Sequence, residues 1–154
     1  GDMGKGLINS NTRKTVKIEK DVLKKIERAL AKEGDVLLSC RGTNGKTAIV
    51  ESNHHGSLVS SQIMILRTTD KILPEYLIAT LNSQLVQRQI LGLLRGTAQQ
   101  YFTINELKKI VISLPPLDEQ HKIVSEFIKL KQEIAKLEST LIEKRVKFES
   151  LIKK

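Results

Sequence analysis

From Asp118 to Lys154 the chain contains neither glycine nor proline, and this run follows Leu114-Pro115-Pro116-Leu117, where the character of the sequence changes. A stretch of that length without a breaker reads as one helix, opened by the proline pair. Its apolar positions Ile123, Phe127, Leu130, Ile134, Leu137, Leu141, Phe148 and Leu151 recur by fours and threes, with Lys144 as the one polar break. That spacing is a coiled-coil seam. Asp118 suits the N-cap with Glu119 in the first turn, and Lys153 and Lys154 lie at the far end, so both termini complement the helix dipole. At 1.5 Å per residue such a helix spans roughly 50 Å, whereas a domain built from the preceding residues has a radius of gyration of only ~13 Å. The stripe therefore calls for another helix, from a second chain or from another half of the same one. The plainer alternative packs the first turns within the chain and leaves the remainder solvated.

Charge divides unevenly at the same boundary. Lys and Arg number 26 against 17 Asp and Glu among 154 residues, a formal charge of +9 with a pI near 9.7. Residues 118–154 hold nine basic and seven acidic side chains, which leaves 17 and 10 for residues 1–117. The first part thus carries most of the excess, and a polyanion such as nucleic acid is the partner that this charge favours. The organisation expected is a domain over 1–117 and a spacer or pairing helix over 118–154. With 40% hydrophobic and 28% charged residues a packed core is within reach, and disordered or disulfide-rich classes are excluded. Apolar runs are broken by charge before the roughly 18 residues of a membrane span, and no basic-then-apolar leader opens the chain, so a cytoplasmic location is expected.

Within 1–117, Ile18, Val22, Leu23, Ile26 and Leu30 mark one face of a short helix over Ile18 to Lys32, stopped by Gly34. Asp35 to Arg41 and Thr47 to Glu51 read as strands around Gly42-Thr43-Asn44-Gly45-Lys46, whose Asn-Gly pair signals a hairpin. Gln62 to Arg67 predicts a further strand. Pro74 opens a helix whose stripe, Tyr76, Leu77, Leu81, Leu85, Ile90 and Leu94, runs to near Gly96. Thr103 and Glu106 have capping-box spacing for a short helix, and Ile110-Val111-Ile112 reads as a closing strand. The fold class expected is α+β: a small domain with a short β-sheet and helices, followed by one long coiled-coil helix. Gly1-Asp2-Met3-Gly4-Lys5-Gly6 reads as a turn, which either a tag remnant or a domain open at its front explains.

Catalytic chemistry finds little footing. The Gly42 to Thr47 segment ends like a phosphate-binding loop, but Cys40 stands where that loop needs a glycine, and a hairpin is the wrong context. His54 and His55 are adjacent and point in different directions, with no acidic or cysteine partners at ligand spacing, so no metal site is expected. His121 reads as a surface or interface histidine. Cys40, the single cysteine, lies in an apolar run and reads as a buried inert thiol. No carboxylate pair is isolated for acid and base duty. Aromatics are few: Tyr76, Tyr101, Phe102, Phe127 and Phe148, two of them in the helical seam. Stacking on single strands wants more platforms, so double-stranded DNA held through phosphates and read by loop side chains fits better. Arg41, Asn44 and Lys46 at the hairpin are the leading candidates for DNA contact, followed by Arg67, Arg95, Gln99 and Gln100. Arg and Lys suit guanine edges or phosphates, and Asn or Gln suit adenine.

The segment Ile110 to Val124, IVISLPPLDEQHKIV, resembles one in the specificity subunits of type I restriction-modification systems. Its most specific part is Leu114-Pro115-Pro116-Leu117-Asp118-Glu119-Gln120. The upstream order is similar too: Gly34-Asp35-Val36-Leu37 before a strand, a Gly-containing hairpin, Pro74-Glu75-Tyr76-Leu77 opening a helix, and Gly96-Thr97-Ala98-Gln99-Gln100 before Thr103. The resemblance covers roughly residues 30–154. It implies a target recognition domain that reads one half of a split DNA site. It also implies a helix that pairs antiparallel with another, sets the distance between the halves and docks methyltransferase subunits, with a restriction subunit in the larger complex. Family members usually carry two such domains and two such helices, so this chain with one of each is expected to be the C-terminal piece of a full subunit or a half-subunit that dimerises. The chemistry, adenine methylation and restriction, would belong to partners, which would also hold S-adenosylmethionine, ATP and Mg²⁺; no cofactor is expected on this chain. Consistent with that division, the sequence contains neither an Asn-Pro-Pro-aromatic methylation motif nor a Gly-rich cofactor loop. The alternative is a coiled-coil assembly protein without sequence-specific DNA binding, which would self-associate independently of salt; a nuclease fits least.

Overall fold

Four consecutive residues, Val36 to Ser39, form the middle strand of a sheet, and all four side chains are buried, as a strand covered on both faces requires. The computed structural model describes residues 3–4, 7–8, 24, 26–42, 44–94 and 101–152. In chain order the elements are β1 (Met3–Gly4), β2 (Leu7–Ile8), β3 (Val36–Ser39), β4 (Thr47–Ile49), β5 (Ile63–Leu66), α1 (Pro74–Leu81), α2 (Gln84–Leu94), α3 (Ile104–Leu107) and α4 (Leu117–Ile152). β1 and β2 pair with each other, and the main sheet has the order β4-β3-β5 with every pair antiparallel. Val36 faces Ile49 on one side and Leu66 on the other, and the register continues to Leu38 opposite Thr47 and Ser39 opposite Ile63. The fold is α+β, a small sheet with helices followed by a long helix, as the sequence leads one to expect.

Alternation along β3 splits the core in two. Val36, Leu38 and Cys40 face the helices and pack with Leu77, Ile78, Leu81, Val86, Ile90 and Phe102. Leu37, on the other face, joins Ala31, Ala48 and Val50, with Val59, Ile63 and Ile65 at the margin.

An ion pair closes the sheet where β3 begins. The carboxylate of Asp35, 2% exposed, accepts from Arg67 Nε (2.8 Å), Arg67 Nη2 (2.7 Å) and the Lys32 main-chain N–H (2.7 Å). Burial by itself would push this carboxyl up; the hydrogen bonds from Arg67 and Lys32, aided by their charges, outweigh it and hold the group below its ordinary value. Reciprocally, the bond to Asp35 raises Arg67. Because the folded-state value is depressed, the stability this carboxylate contributes is complete above ~4, the unfolded-chain value, and is lost as pH falls through the lower folded value. Asp35→Asn is thus expected to be less stable than the parent at neutral pH, with the gap narrowing below pH ~4. Urea melts across that range check it, and a gap that is constant with pH would exclude the ion pair as its source.

Several expected elements differ. The first part of the helix over Ile18 to Lys32 lies outside the described residues; residues 24 and 26 are helical, Glu27–Ala29 form a 3-10 turn, and Leu30 is already extended. The chain leaves the helix there because 29–31 pairs with 56–59: Ala31 N–H bonds Ser57 O (2.9 Å), Val59 N–H bonds Ala29 O (2.9 Å) and Gly56 N–H bonds Ala31 O (2.8 Å). The single helix from Pro74 towards Gly96 is two helices, α1 and α2, broken at Asn82-Ser83. Asn82 Nδ2 donates to Ile78 O (2.8 Å) and to Thr47 Oγ1 (2.7 Å), so its side chain competes with the helix ladder and ties the break to β4. The closing strand at Ile110-Val111-Ile112 does not form. Its main chain is satisfied by a side chain instead: Gln89 Nε2 donates to Val111 O and Val111 N–H donates to Gln89 Oε1, both at 2.9 Å. The capping box is as expected, with Thr103 N–H on Glu106 Oε2 (2.6 Å) and Glu106 N–H on Thr103 Oγ1 (3.3 Å).

α4 starts at Leu117, one residue before the expected cap, so Asp118 lies within the first turn beside Glu119. Gln120 and Val124 are its buried residues and Phe127 is half-buried; from Ile128 to Ile152 every side chain is exposed. Lys153 and Lys154 fall outside the described residues.

Candidate nucleic-acid interface

The hairpin between β3 and β4 is fixed by its main chain. Ser39 and Lys46 exchange bonds, Ser39 N–H to Lys46 O (2.9 Å) and Lys46 N–H to Ser39 Oγ (2.9 Å), and Gly45 N–H reaches Ser39 O (3.0 Å). From α2, Gln87 Nε2 donates to Gly45 O (3.2 Å) and to Leu81 O (2.8 Å), bolting the turn to the helices. Gly45 has φ +81°, and a Cβ there would sit 2.9 Å from Gln87 Oε1. Gly45→Ala is accordingly expected to cost roughly 1–2 kcal/mol, read as a lowered melting midpoint, with an unchanged midpoint counting against the bolt.

On this frame Arg41 and Lys46 are exposed and Asn44 is half-buried, its Oδ1 enclosed. The Arg41 guanidinium lies 4.7 Å from the centre of the Tyr101 ring, and residues 41 and 101 form an antiparallel bridge that Phe102 N–H extends to Cys40 O (3.2 Å). An arginine held against a ring keeps its donors and gives up part of its rotameric freedom, which prepares it for a base edge or a phosphate. The turn before β5 joins the same end of the sheet, since Cys40 N–H bonds Gln62 O (2.9 Å); there Ser60, Ser61 and Gln62 are exposed. Tyr101 and these three polar residues are not among the contact candidates that the sequence suggests. The Ser-Ser-Gln run between two apolar stretches was the available signal for the turn; nothing local signals the stacking of Tyr101.

The other candidates separate from this cluster. Arg67 follows β5 at the opposite end of the sheet, where its guanidinium grips Asp35. Arg95, Gln99 and Gln100 lie outside the described residues, although Tyr101, next to Gln100 in the chain, stands at the hairpin.

Reactive groups are quiet. Burial pushes the Cys40 thiol above its ordinary value, and Sγ lies 3.2 Å from Gln62 O, in keeping with an inert thiol. His54 is buried and its Nε2 has no hydrogen-bond partner among the described residues, His55 Nδ1 accepts from Glu33 N–H (3.3 Å), and His121 is exposed. Among the described residues no three His, Cys, Asp or Glu side chains gather as metal ligands, and no helix is long and apolar enough to cross a membrane. A groove of about 330 Å³ at the root of α4, between Tyr76, Leu85, Val111, Ile123 and Phe127, is lined without a carboxylate, histidine or thiol. Along α4, Leu130, Ile134, Leu137, Leu141, Phe148 and Leu151 are each at least half exposed, so the seam is available for another helix.

Known proteins resemble most of this chain. A family described as the type I restriction modification DNA specificity domain matches residues 3–144. A putative type I restriction enzyme specificity subunit of Haemophilus influenzae is 34% identical over 94 residues, 61% of this chain and 23% of that protein. The EcoBI specificity subunit of Escherichia coli is 26% identical over 108 residues, covering 70% of this chain and 23% of its own length. Among solved structures, the HsdS subunit from Thermoanaerobacter tengcongensis superposes with TM-score 0.61 at 26% identity, over 71% of this chain and 30% of that one. A chain from a structure of a type I restriction-modification system reaches TM-score 0.68 at 25% identity, over 79% and 29%. The match thus spans about a quarter of the length of these relatives. With its family match running from the first strand well into the long helix, the chain belongs to the type I restriction-modification DNA specificity domain family.

Proposed function

We propose that this chain is a non-catalytic recognition module of a type I restriction-modification complex: it reads one part of a double-stranded DNA site and carries a helix that pairs with a second helix. The observation that carries this reading is the exposed Arg41 and Lys46 on a hairpin fixed by main-chain bonds, in a chain of this family. Rigid placement of cations on one loop suits reading base edges while phosphate contacts supply affinity. Asn44, Arg67, Arg95, Gln99 and Gln100 are further candidates; for Arg67 the geometry supports the Asp35 ion pair more directly than DNA contact. The seam residues Ile123 to Leu151 pair with another copy or another half, and the paired helices set the separation of the half-sites and dock the methyltransferase and restriction subunits. S-adenosylmethionine, ATP and Mg²⁺ sit on those subunits, and the complex works in the cytoplasm.

The test is selection of bound duplexes from a random pool, using the chain with its methyltransferase subunit. An inverted repeat with a fixed gap supports a dimerised half-subunit, a lone half-site supports one piece of a longer subunit, and no enrichment by a folded complex overturns the reading. In the same assay Arg41→Ala and Lys46→Ala are each expected to weaken binding and to reduce the slope of log affinity against log salt by about one. Unchanged affinity and slope in both would remove the hairpin from the interface.

A further inference from the structure

Gln120 is fully buried, 0% exposed, in the first turn of a helix that is otherwise almost entirely in solvent. Its amide bonds main-chain groups of two other segments. Nε2 donates to Lys71 O (2.9 Å) and Pro115 O (2.8 Å), and Oε1 accepts from Leu73 N–H (2.9 Å). Both donor hydrogens and one acceptor position are therefore engaged between the turn before α1, the chain entering α4, and α4 itself. Two more side chains hold the entering segment where a strand would have used a ladder: Gln89 takes both main-chain groups of Val111, and Tyr76 Oη donates to Ser113 O (3.0 Å). Past Val124 and the half-buried Phe127, the helix side chains from 128 to 152 are exposed among the described residues.

A helix held at one end is a lever. Its exposed part, residues 128–152, is ~37 Å long at 1.5 Å per residue. A tilt of ~10° at the root moves the tip by ~6 Å, close to two steps of DNA at ~3.4 Å each. Loss of angular definition at Gln120 therefore converts into uncertainty of about two base pairs in where a recognition domain sits relative to its counterpart.

We propose that Gln120 is a positioning residue that fixes the angle between the recognition domain and α4 and thereby the length of the gap between the two halves of the DNA site, with Tyr76 and Gln89 in support. The proposal rests on the recognition function given above. It touches no DNA and acts through the helix.

Two readouts test it. For the angle, spin labels are placed through Glu51→Cys and Ser139→Cys in a Cys40→Ser background, diluted with unlabelled chain so that distances within one chain are read. The parent is expected to give one narrow distance distribution, Gln120→Met a broad one, and Tyr76→Phe, which loses a single hydrogen bond and keeps its ring packing, an intermediate one. For the gap, duplex selection is repeated with each variant in the complex. The expected result is the same half-site sequence with the gap spread over about two base pairs on either side, more for Gln120→Met than for Tyr76→Phe. Should Gln120→Met fail to fold, Tyr76→Phe carries both readouts. An unchanged distance distribution in the folded variants overturns the lock, and a broadened one with an unchanged gap overturns its role in spacing. If the parent enriches no site at all, the recognition reading fails, and the label distances still decide whether Gln120 fixes the angle.

Discussion

Phe102→Ala is expected to lower stability by about 3–5 kcal/mol, among the largest effects open to a single side chain in this protein. Phe102 is 1% exposed and packs in the cluster that joins β3 to α1 and α2. A domain of this size has only about 5–15 kcal/mol in total, so the melting midpoint should fall by roughly 15–30 °C. The adjoining Tyr101 would lose its anchor, and with it the support under Arg41, so DNA binding should fall even at temperatures where the variant is folded. As a control, Leu114→Ala, at a site 54% exposed, is expected to change stability by less than ~0.5 kcal/mol. Calorimetry of the three proteins checks this. A Phe102→Ala midpoint within ~5 °C of the parent would mean that the cluster closes over the cavity instead of leaving it open.

The second large effect concerns association. Ile134 and Leu137 are 56% and 63% exposed at the centre of the seam, and in a paired helix they would be covered from both sides. Ile134→Asp combined with Leu137→Asp would bury carboxylates without partners, and self-association should weaken at least ~100-fold. The unpaired helix would also lose much of its helicity, since an isolated helix in water is marginal and most helical stability comes from packing. The sheet domain should melt as before, because these positions do not touch it. Sedimentation equilibrium and far-ultraviolet circular dichroism give both readings. A parent chain that remains monomeric at high concentration would assign the seam to the other half of a longer subunit, and a variant that associates like the parent would place pairing elsewhere.

The elements legible in the sequence are those set by local chemistry. Asn44-Gly45 needs a hairpin turn, Pro74 a first helical turn, Thr103 and Glu106 a capping box, and each is where the residues put it, while the breaker-free run from Asp118 forms a helix that begins one residue earlier, at Leu117. What could not be read depends on partners far along the chain. Ile110 to Ile112 has the composition of a strand, yet Gln89, 22 residues away from Val111, supplies its hydrogen bonds. Arg67 looked like one more exposed cation until β5 brought it against Asp35, 32 positions earlier. Gln120 belonged to a recognisable motif, but its burial comes from Lys71 and Leu73, over 45 residues upstream. The candidate site was half legible for the same reason: the hairpin trio is local, while Tyr101 and the turn at Ser60 to Gln62 join it through pairing of distant segments.

The way the hairpin is fastened has a consequence for how such a module can change. Of the bonds that hold it, the turn contributes the N–H of Lys46, the N–H of Gly45 and the carbonyls of both, groups that every residue except proline possesses. The side chains that do the fastening, Ser39 and Gln87, stand on the strand and the helix outside the turn. The identity at 46 is thus uncoupled from the bonds that fasten the turn, whereas the side chain at 41 also rests on the Tyr101 ring: a new side chain at 46 inherits a finished scaffold and changes what the hairpin presents without reopening how the domain folds. A loop built in this manner can diversify by single substitutions, each of them a viable intermediate, which is the property a protein needs if its targets are to change while its assembly stays the same.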